Sequence, residues 1–398
     1  MSWAKLLRES APKQSQAAKT QVAQCGGALR KSGAAIPLKD ECHAVLREGV
    51  INVCAEQVDL SGQCTSRPRG LRNPRNECFA NAVAQALSSV PQLCFLATMV
   101  ANTDAEWLKQ SNASLAHLCN VVKYLNQGAG TPSVCQELRV LRRLFARAAS
   151  EQQHDAHEFC NWLLDQVHQE SKFGDNSTNH SGDNSDTSSQ WRAASARGDT
   201  VLRQGVKLTP SLTSCLFAGV QRSCVSRPGR TTASPQSFFS LTLHLQPILQ
   251  ETASASAEEH AQSSVQALLQ RHFRKSKVSD QRGVSVYSDM THLPPCLLLH
   301  ISRAGLEHKC MTNVVPDDTI VFRKRWLSGL QVQRYQLCAV VLHHGIQLES
   351  GHYTTVCRRG TQWFHVDDAR VAACAHPQEY ARWYRDTYLL VYLRANTD

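Results

Sequence analysis

Apolar residues in the segment 70–168 recur every three or four positions, which predicts helices. Each predicted helix therefore carries an apolar stripe along one face. The pattern covers 78–87, 106–125, 134–149 and 153–167. We expect these helices to pack into one compact helical subdomain.

Beyond residue 210 the pattern changes to an alternation of apolar and polar positions, which predicts strands. A short helix is expected at 264–273. The predicted strands are 214–226, 237–245, 296–301, 319–322, 333–343, 352–357, 363–366 and 388–393. Helices that precede a mostly antiparallel sheet indicate an α+β fold rather than alternating β and α units.

Two stretches of the chain lack these patterns. Residues 1–65 are rich in small residues, and we expect an N-terminal extension that is largely disordered. Residues 171–200 include polar, low-complexity sequence, which predicts a disordered insertion. Because the patterns on both sides of the insertion belong to one fold, residues 66–395 are expected to form a single domain.

The composition is that of a globular protein: of 398 residues, 42% are hydrophobic and 19% are charged. The formal net charge of +10 would suit an acidic partner or nucleic acid. However, the basic residues are scattered, and the densest groups, at 271–277 and 323–325, fit solvated surfaces better. Association with nucleic acid stays an alternative function.

The first residues show neither the apolar core nor the cleavage site of a secretory signal. The longest nearly apolar run, 93–101, is too short for a bilayer, which needs roughly 20 residues. We therefore expect no membrane partner and a location in the cytoplasm or nucleus, where the 16 cysteines are free thiols. The sequence has no Cys-x-x-Cys pair, so it indicates no tetracysteine zinc site.

Cys78 stands where a loop rich in Gly, Asn and Pro meets a predicted helix. At such a position the positive end of the helix dipole and unpaired backbone N–H groups favour a thiolate. Most of the 16 cysteines are better explained as small buried apolar residues. Cys78 is therefore a candidate nucleophile only if the chain supplies a base and an acid.

His352 and Asp367 are the candidate partners. His352 begins one predicted strand and Asp367 follows the next, and a short turn near Gly360 would place them side by side. An imidazole can take the proton of a thiol, while a carboxylate fixes the imidazole tautomer and stabilises its cation. Since the chain has 17 histidines, this pairing alone is weak evidence, and a lone histidine is usually structural.

These pieces carry a family resemblance to the ubiquitin-specific proteases. The matching segments are 70–85 (GLRNPRNECFANAVAQ), similar to the family's cysteine box; 152–159 (QQHDAHEF), similar to its glutamine–aspartate box; Gly351-His352-Tyr353 followed by Trp363 and Asp367-Asp368, similar to its histidine box; and 388–394 (YLLVYLR), similar to its last strand. All four occur in the family's order, over roughly 66–395.

The resemblance implies a papain-like cysteine protease fold with a helical thumb, a palm made of the antiparallel sheet, and a fingers region. It implies that Cys78 is the nucleophile, His352 the general base and Asp367 the orienting acid. Asn73 matches the side chain that stabilises the oxyanion, and Asp368 matches a polar residue that assists it.

The activity implied is hydrolysis of the peptide or isopeptide bond that follows the C-terminal glycine of ubiquitin, without a cofactor. Ubiquitin and ubiquitinated proteins are then the partners. Asp155, Glu158 and Tyr353 match positions that bind the substrate. Carboxylates at 155 and 158 would share one helix face and could pair with arginines in the ubiquitin tail.

The sequence departs from the family pattern in two places. Arg75 and Glu77 stand where the family usually has glycine and threonine, and either charge could affect the oxyanion loop. The fingers usually carry two Cys-x-x-Cys pairs, of which only Cys224 remains. We therefore expect no metal site and reduced fingers. A weakly active or inactive ubiquitin-binding scaffold is the second alternative.

Overall fold

Helices come first along the chain and strands follow, as the hydrophobic pattern predicts. The computed structural model describes residues 40–54, 59–60, 62–103, 111, 113–128, 130–146, 154–173, 191–195, 198–202, 208–245, 262–277, 283–304, 309–347 and 350–395. Residues 1–39 and 174–190 lie outside this part of the chain, so the disorder expected there stays a prediction.

The described helices are α1 (Asp40–Cys54), α2 (Cys78–Leu87), α3 (Pro91–Thr103), α4 (Ser114–Asn126), α5 (Gln136–Ala146), α6 (Ala156–Glu170), α7 (Leu212–Phe217) and α8 (Val265–His272). The helices at 78–87, 134–149, 153–167 and 264–273 are confirmed within a few residues at their ends. The helix expected at 106–125 instead begins at Ser114, because Ala113 is its N-cap with an extended backbone and Ser111 is not helical.

The described strands are β1 (Trp191–Ser195), β2 (Gly198–Leu202), β3 (Gly219–Arg227), β4 (Arg230–Phe238), β5 (Ser240–His244), β6 (Gln262–Ser264), β7 (Ser276–Lys277), β8 (Ser285–His292), β9 (Cys296–Ser302), β10 (Asn313–Val315), β11 (Thr319–Phe322), β12 (Gln333–His344), β13 (His352–Arg359), β14 (Gln362–Asp367), β15 (Arg370–Cys374) and β16 (Thr387–Arg394). The large sheet has the order β15-β14-β13-β12-β16-β9-β5, and β11 also pairs with β12. The small sheet has the order β1-β2-β4-β3-β8-β7. Neighbouring strands are antiparallel except for β2 with β4 and β5 with β9, and a parallel pair of β6 and β10 stands apart.

The large sheet is covered on both faces, which explains its nearly continuous apolar strands. Because side chains alternate along a strand, Val341 of β12 joins one core while Val340 and Leu342 join the other. The first core lies between the sheet and helices α1–α7 and includes Phe79. The second core contains Trp326 and residues of α8. The large sheet therefore separates the two cores, and helices α1–α7 pack on one of its faces.

Three further expectations need correction. Residues 191–195 and 198–202 form strands β1 and β2, although the sequence predicts disorder up to about 200. The predicted strand 214–226 is instead α7 followed by β3, because a Ser211–Ser214 capping box begins a short helix there. Finally, helix α1 lies in the segment expected to be disordered, and its buried Leu46 and Val50 belong to the first core.

In the part of the chain that the structure describes, no single helix is long and apolar enough to cross a membrane. Helices α2 and α3 pass this test only as a pair that is bent by 90°.

Candidate active site

Cys78 is the first residue of α2, as the loop-to-helix pattern predicts. Its side chain is largely covered, with 3% of the residue exposed. Glu77 holds the N-cap position, and its side chain makes no capping hydrogen bond. The helix therefore presents its first turn of backbone N–H groups beside the thiol, where a developing negative charge is stabilised.

His352 begins β13 and lies between the thiol and a carboxylate. Its Nε2 is 2.7 Å from Oδ1 of Asp367, the last residue of β14. The hydrogen bond with Cys78 is the main cause that raises the pKa of His352 to about 9, and the Asp367 carboxylate adds to it while burial opposes it. The structure thus brings together the three residues that the sequence pairs, with the imidazole between the thiol and the carboxylate.

Helix α2 runs alongside β13, and this packing sets the distance between thiol and imidazole. Thr355 Oγ1 donates to the carbonyl oxygen of Ala82 at 2.8 Å, near the middle of both elements. At the far end, Arg359 donates to the carbonyl oxygen of Ser88 at 2.6 Å. A slip of the helix along the strand would break both contacts, so the register between the two elements is fixed.

Asp368 joins the loop before Cys78 to the large sheet. Its Oδ2 accepts from Nδ2 of Asn73 and its Oδ1 from Nδ2 of Asn81, both at 2.8 Å. Asn73 Oδ1 in turn accepts the N–H of Glu77 at 2.6 Å. The second N–H of the Asn73 amide is not used in these bonds, so this side chain can donate to an oxyanion while Asp368 fixes its orientation.

The turn that carries Asp368 requires an unusual backbone. Asp367 pairs with Arg370 across β14 and β15, so the hairpin has a two-residue turn, and Asp368 has a φ of 48°. Its carbonyl oxygen accepts the N–H of Leu71 at 2.8 Å. Gly70 is required here, because a Cβ would lie 2.4 Å from the carbonyl oxygen of Ala369. The turn and the loop are therefore locked together.

The charged residues at 75 and 77 do not occupy the thiol's surroundings in the way the sequence suggests. Glu77 is buried and faces α5, where its Oε1 lies 3.2 Å from Arg139 Nε and 3.4 Å from Arg142 Nε. The positive φ of this loop falls on Asn76, at 53°, and not on Arg75. Asparagine tolerates that conformation, so the loop needs no glycine at position 75.

The residues expected to bind substrate have different surroundings. Asp155 caps α6 by accepting the N–H of Glu158 at 2.9 Å, and it also accepts the hydroxyl of Tyr388. Glu158 is exposed on the first turn of α6. Tyr353 is only 2% exposed and stacks on His343 with 4.6 Å between ring centroids. Glu158 is thus the accessible carboxylate. Asp155, at the start of α6, and Tyr353, on β13, are less exposed.

Among the described residues, one group has the composition of a metal site. Possible ligand atoms of His352, Asp367 and Asp368 lie within 4.8 Å of one another. However, the imidazole is bonded to Asp367, and both oxygens of Asp368 accept amide hydrogens. Hydrogen bonding among the three residues and their neighbours explains this arrangement without a metal.

Two polar residues of α2 were not assigned a role from sequence. Asn81 holds Asp368, and Gln85, one turn later on the same helix face, donates to the carbonyl oxygen of Arg69 at 2.7 Å. Polar residues at this spacing on a buried helix are the signal that could have identified them. Tyr388 belongs to the last predicted strand, and its bond to Asp155 depends on tertiary packing that no local pattern indicates.

The region around Cys224, which is expected to form the fingers, lies in the small sheet. Cys224 is buried on β3 and pairs in register with Ala233 and Tyr287. Next to it, Arg222 and Asp289 form a two-bond ion pair that connects β3 to β8. This cross-strand pair stabilises the sheet.

Residues 69–392 match the family model described as ubiquitin carboxyl-terminal hydrolase. The chain belongs to this family. It is 26% identical to human ubiquitin carboxyl-terminal hydrolase 3, over 76% of this chain and 64% of the relative. It is 24% identical to mouse ubiquitin carboxyl-terminal hydrolase 10, over 99% of this chain and 58% of the relative. The chain therefore spans about three-fifths of the length of these curated relatives.

Solved structures of other proteins have the same architecture as this chain. The SAGA Ubp8/Sgf11/Sus1/Sgf73 DUB module bound to ubiquitin aldehyde is similar, with a TM-score of 0.58 and 17% identity over 89% of this chain and 75% of that chain. A yeast SAGA DUB module gives a TM-score of 0.58 and 19% identity over 88% of this chain and 76% of that chain. The family assignment and the α+β fold predicted from the sequence are confirmed.

Proposed function

We propose that this chain is a cysteine protease that removes ubiquitin by hydrolysing the peptide or isopeptide bond after its C-terminal glycine. The observation that carries the proposal is the arrangement of Cys78, His352 and Asp367, in which the imidazole binds both the thiol and the carboxylate. Relatives named ubiquitin carboxyl-terminal hydrolases support the substrate class. Ubiquitin and ubiquitinated proteins are then the partners.

In the first step, the Cys78 sulfur attacks the carbonyl carbon of the terminal glycine, with its proton on His352. The oxyanion that forms is stabilised by backbone N–H groups at the start of α2 and by the Asn73 amide, which Asp368 holds in place. His352 then donates its proton to the leaving lysine amine. The raised pKa of His352 suits this step, because the imidazole must carry a proton to give.

In the second step, water hydrolyses the thioester. His352, now neutral, takes a proton from the water, and the same donors stabilise the second oxyanion. Asp367 keeps the ring oriented throughout, because its Oδ1 stays bonded to Nε2 and leaves the other ring nitrogen for the thiol and the water. The free carboxyl end of ubiquitin and the restored thiol are the products.

The wall formed by the start of α6 is where we place the ubiquitin tail. That tail contains arginines and ends in two glycines, so it needs carboxylates along a narrow channel. Glu158 is exposed and can pair with an arginine directly. Asp155 adds its charge from the N-cap, and the buried Tyr353 supports the wall from beside His352.

A ubiquitin carrying a thiol-reactive electrophile at its C-terminus tests this function. We expect the wild-type chain to gain the mass of one ubiquitin, with the link mapped to Cys78 by mass spectrometry. Cys78→Ala should gain nothing, whereas Cys374→Ala, which changes a half-buried cysteine of β15, should react like the wild type.

The same experiment separates the enzyme from a scaffold. A scaffold would bind unmodified ubiquitin, form no adduct and release no product from a ubiquitin–lysine isopeptide. If the wild-type chain binds ubiquitin without either reaction, the enzyme proposal is wrong and the scaffold alternative replaces it.

A further inference from the structure

Two cysteines lie in contact at the end of α2 opposite to Cys78. Cys64 belongs to the segment before the catalytic loop and Cys94 belongs to α3, and their sulfur atoms are 2.7 Å apart. Both are free thiols. They are separated by 30 positions along the chain, so the contact joins the segment before the catalytic loop to a helix of the first core.

The two sulfur atoms contact a polar group at the end of α2. The carbonyl oxygen of Ser88 lies 3.3 Å from the Cys64 sulfur and 3.1 Å from the Cys94 sulfur. Arg359 donates to this oxygen and to Ser88 Oγ, and Asn126 donates to Ser88 O and to the Cys94 sulfur. Both sulfur atoms therefore share one acceptor, the Ser88 carbonyl oxygen, which Arg359 and Asn126 hold in place.

The pair borders a cavity. A cavity of about 270 Å³ is lined by Cys64 and Cys94 together with Gly62, Gln63, Lys123 and Asn126. The two cysteines are buried, at 7% and 4% exposed, and both line this cavity. Cys119 and Cys160 are each 1% exposed and do not line this cavity.

The two thiols differ in acidity. The hydrogen bond with Cys94 is the main cause that lowers the pKa of Cys64, with Arg359 adding to it against burial. Burial raises the pKa of Cys94, and the neighbouring Cys64 raises it further. Cys64 is therefore the thiol that is more readily a nucleophile, and Cys94 is placed to react with it afterwards.

We propose that Cys64 and Cys94 form an oxidisable dithiol that a peroxide converts to an intramolecular disulfide, at a site separate from the catalytic thiol. The proposal rests on the sulfur contact, the cavity and the adjacent Arg359. It does not depend on the activity proposed above, since none of these residues belongs to the Cys78 site.

The chemistry balances with one peroxide for each dithiol. The Cys64 thiolate attacks one oxygen of hydrogen peroxide, the O–O bond breaks, and the hydroxide that leaves takes up a proton to become water. The Cys94 sulfur then attacks the resulting sulfenic acid, the S–O bond breaks, and a second water leaves as Cys94 gives up its proton. Two thiols are oxidised, one peroxide is reduced to two waters, and a thiol reductant reverses the change.

The disulfide would tie the segment at Cys64 to α3 without disturbing the active site. Ser88 O keeps its donors from Arg359 and Asn126, so the end of α2 stays anchored. A cross-link between positions 30 apart reduces the entropy of the unfolded chain. We therefore expect the oxidised protein to melt several degrees higher than the reduced protein.

Titration of the wild-type chain with hydrogen peroxide tests the proposal without any substitution. After each step, free thiols are alkylated, the protein is digested without reduction, and peptides are identified by mass spectrometry. We expect a Cys64–Cys94 linked peptide that forms before Cys119 or Cys160 is modified and that dithiothreitol removes. A Cys78→Ser chain should give the same link, because the catalytic thiol takes no part.

Variants then assign the order of the two thiols. In Cys94→Ser, we expect Cys64 to accumulate as a sulfenic acid that dimedone traps, while in Cys64→Ser no oxidation of Cys94 should follow. The proposal is overturned if both residues are recovered alkylated when Cys78 is already oxidised, if either is linked to another cysteine, or if the link appears only after unfolding.

Discussion

The two ends of helix α2 meet the large sheet in different ways. At its start, Cys78 faces a half-exposed imidazole and carboxylate, His352 and Asp367. At its end, Ser88 meets the buried Arg359. Strand β13 serves both ends, because His352 is its first residue and Arg359 its last.

The difference lies in how much hydrogen-bonding capacity remains free. At the open end, Asn73 and the first N–H groups of the helix retain donors that a substrate can use. At the closed end, the Ser88 carbonyl oxygen is surrounded by donors and shielded from water. We infer that the open end performs the chemistry while the closed end fixes the register of α2 on β13. Changes at the two ends should therefore affect different measurements.

The largest effect is expected from Asn73→Ala. Removing this amide deletes a donor to the oxyanion, so kcat for ubiquitin–fluorophore hydrolysis should fall about 100- to 1,000-fold with little change in KM. Steady-state kinetics measure this loss, and thermal melting checks that the variant is folded.

Asn81→Ala is the matched control, because Asn81 donates to the same carboxylate, Asp368, from the helix side. It should lower kcat less than Asn73→Ala, since it leaves the oxyanion donor present. Equal losses in the two variants would mean that Asn73 acts only by holding Asp368.

A smaller effect, and on a different quantity, is expected from Arg359→Met. This change removes three hydrogen bonds of a buried cation, to Ser88 O, Ser88 Oγ and Asn126 Oδ1. The free energy of unfolding should fall by about 2–4 kcal/mol. Denaturant unfolding measures the loss, and kcat per folded molecule should stay within about threefold of the wild type, well below the loss expected for Asn73→Ala.

Arg370→Met is the control for that experiment, because Arg370 is an exposed arginine of the same sheet. Its effect on stability should be within about 0.5 kcal/mol. If Arg359→Met lowers kcat as strongly as Asn73→Ala, the closed end takes part in the chemistry and the division between the two ends is wrong.

The open end was largely predictable from sequence, and the closed end was not. Cys78, His352 and Asp367 stand at a loop-to-helix junction and two strand ends, which are local features, and the family motifs around them assigned their roles and that of Asn73. Arg359 reads as an ordinary surface arginine near a turn. Its burial depends on Ser88, 271 positions away, and no local pattern reports such a contact.

The distinction between local and long-range contacts also explains which elements of the fold could be predicted. Strands β12, β13 and β16 were predicted within a few residues, because their sequences are apolar, β-branched and bounded by turns. Helix α7 was missed since six residues give too little periodicity to separate a helix from a strand. The sequence also could not show where the Glu77 side chain points. Its partners Arg139 and Arg142 belong to α5, which lies much further along the chain.

The smallest predicted effect is a pH dependence of the stability of the fold. It arises at the open end, from the titration of His352. The pKa of His352 in the folded chain is about 9, above its ordinary 6.5. Protonation of His352 therefore stabilises the fold fully below about pH 6.5, and this contribution is lost as the pH rises through 9. Because the side chain is 41% exposed, solvent screening limits the contribution to about 1 kcal/mol or less.

Urea unfolding of the wild type and of His352→Gln at pH 6, 7.5 and 9.5 isolates this contribution, since all other titrating groups are common to both chains. The stability difference between the two should shrink as the pH rises. Asp367→Asn should retain part of the slope, because the Cys78 hydrogen bond, the larger cause of the shift, remains. A difference that stays constant or grows with pH would show that His352 is not held protonated by Cys78 and Asp367, and the proton transfer assigned to it would need another donor.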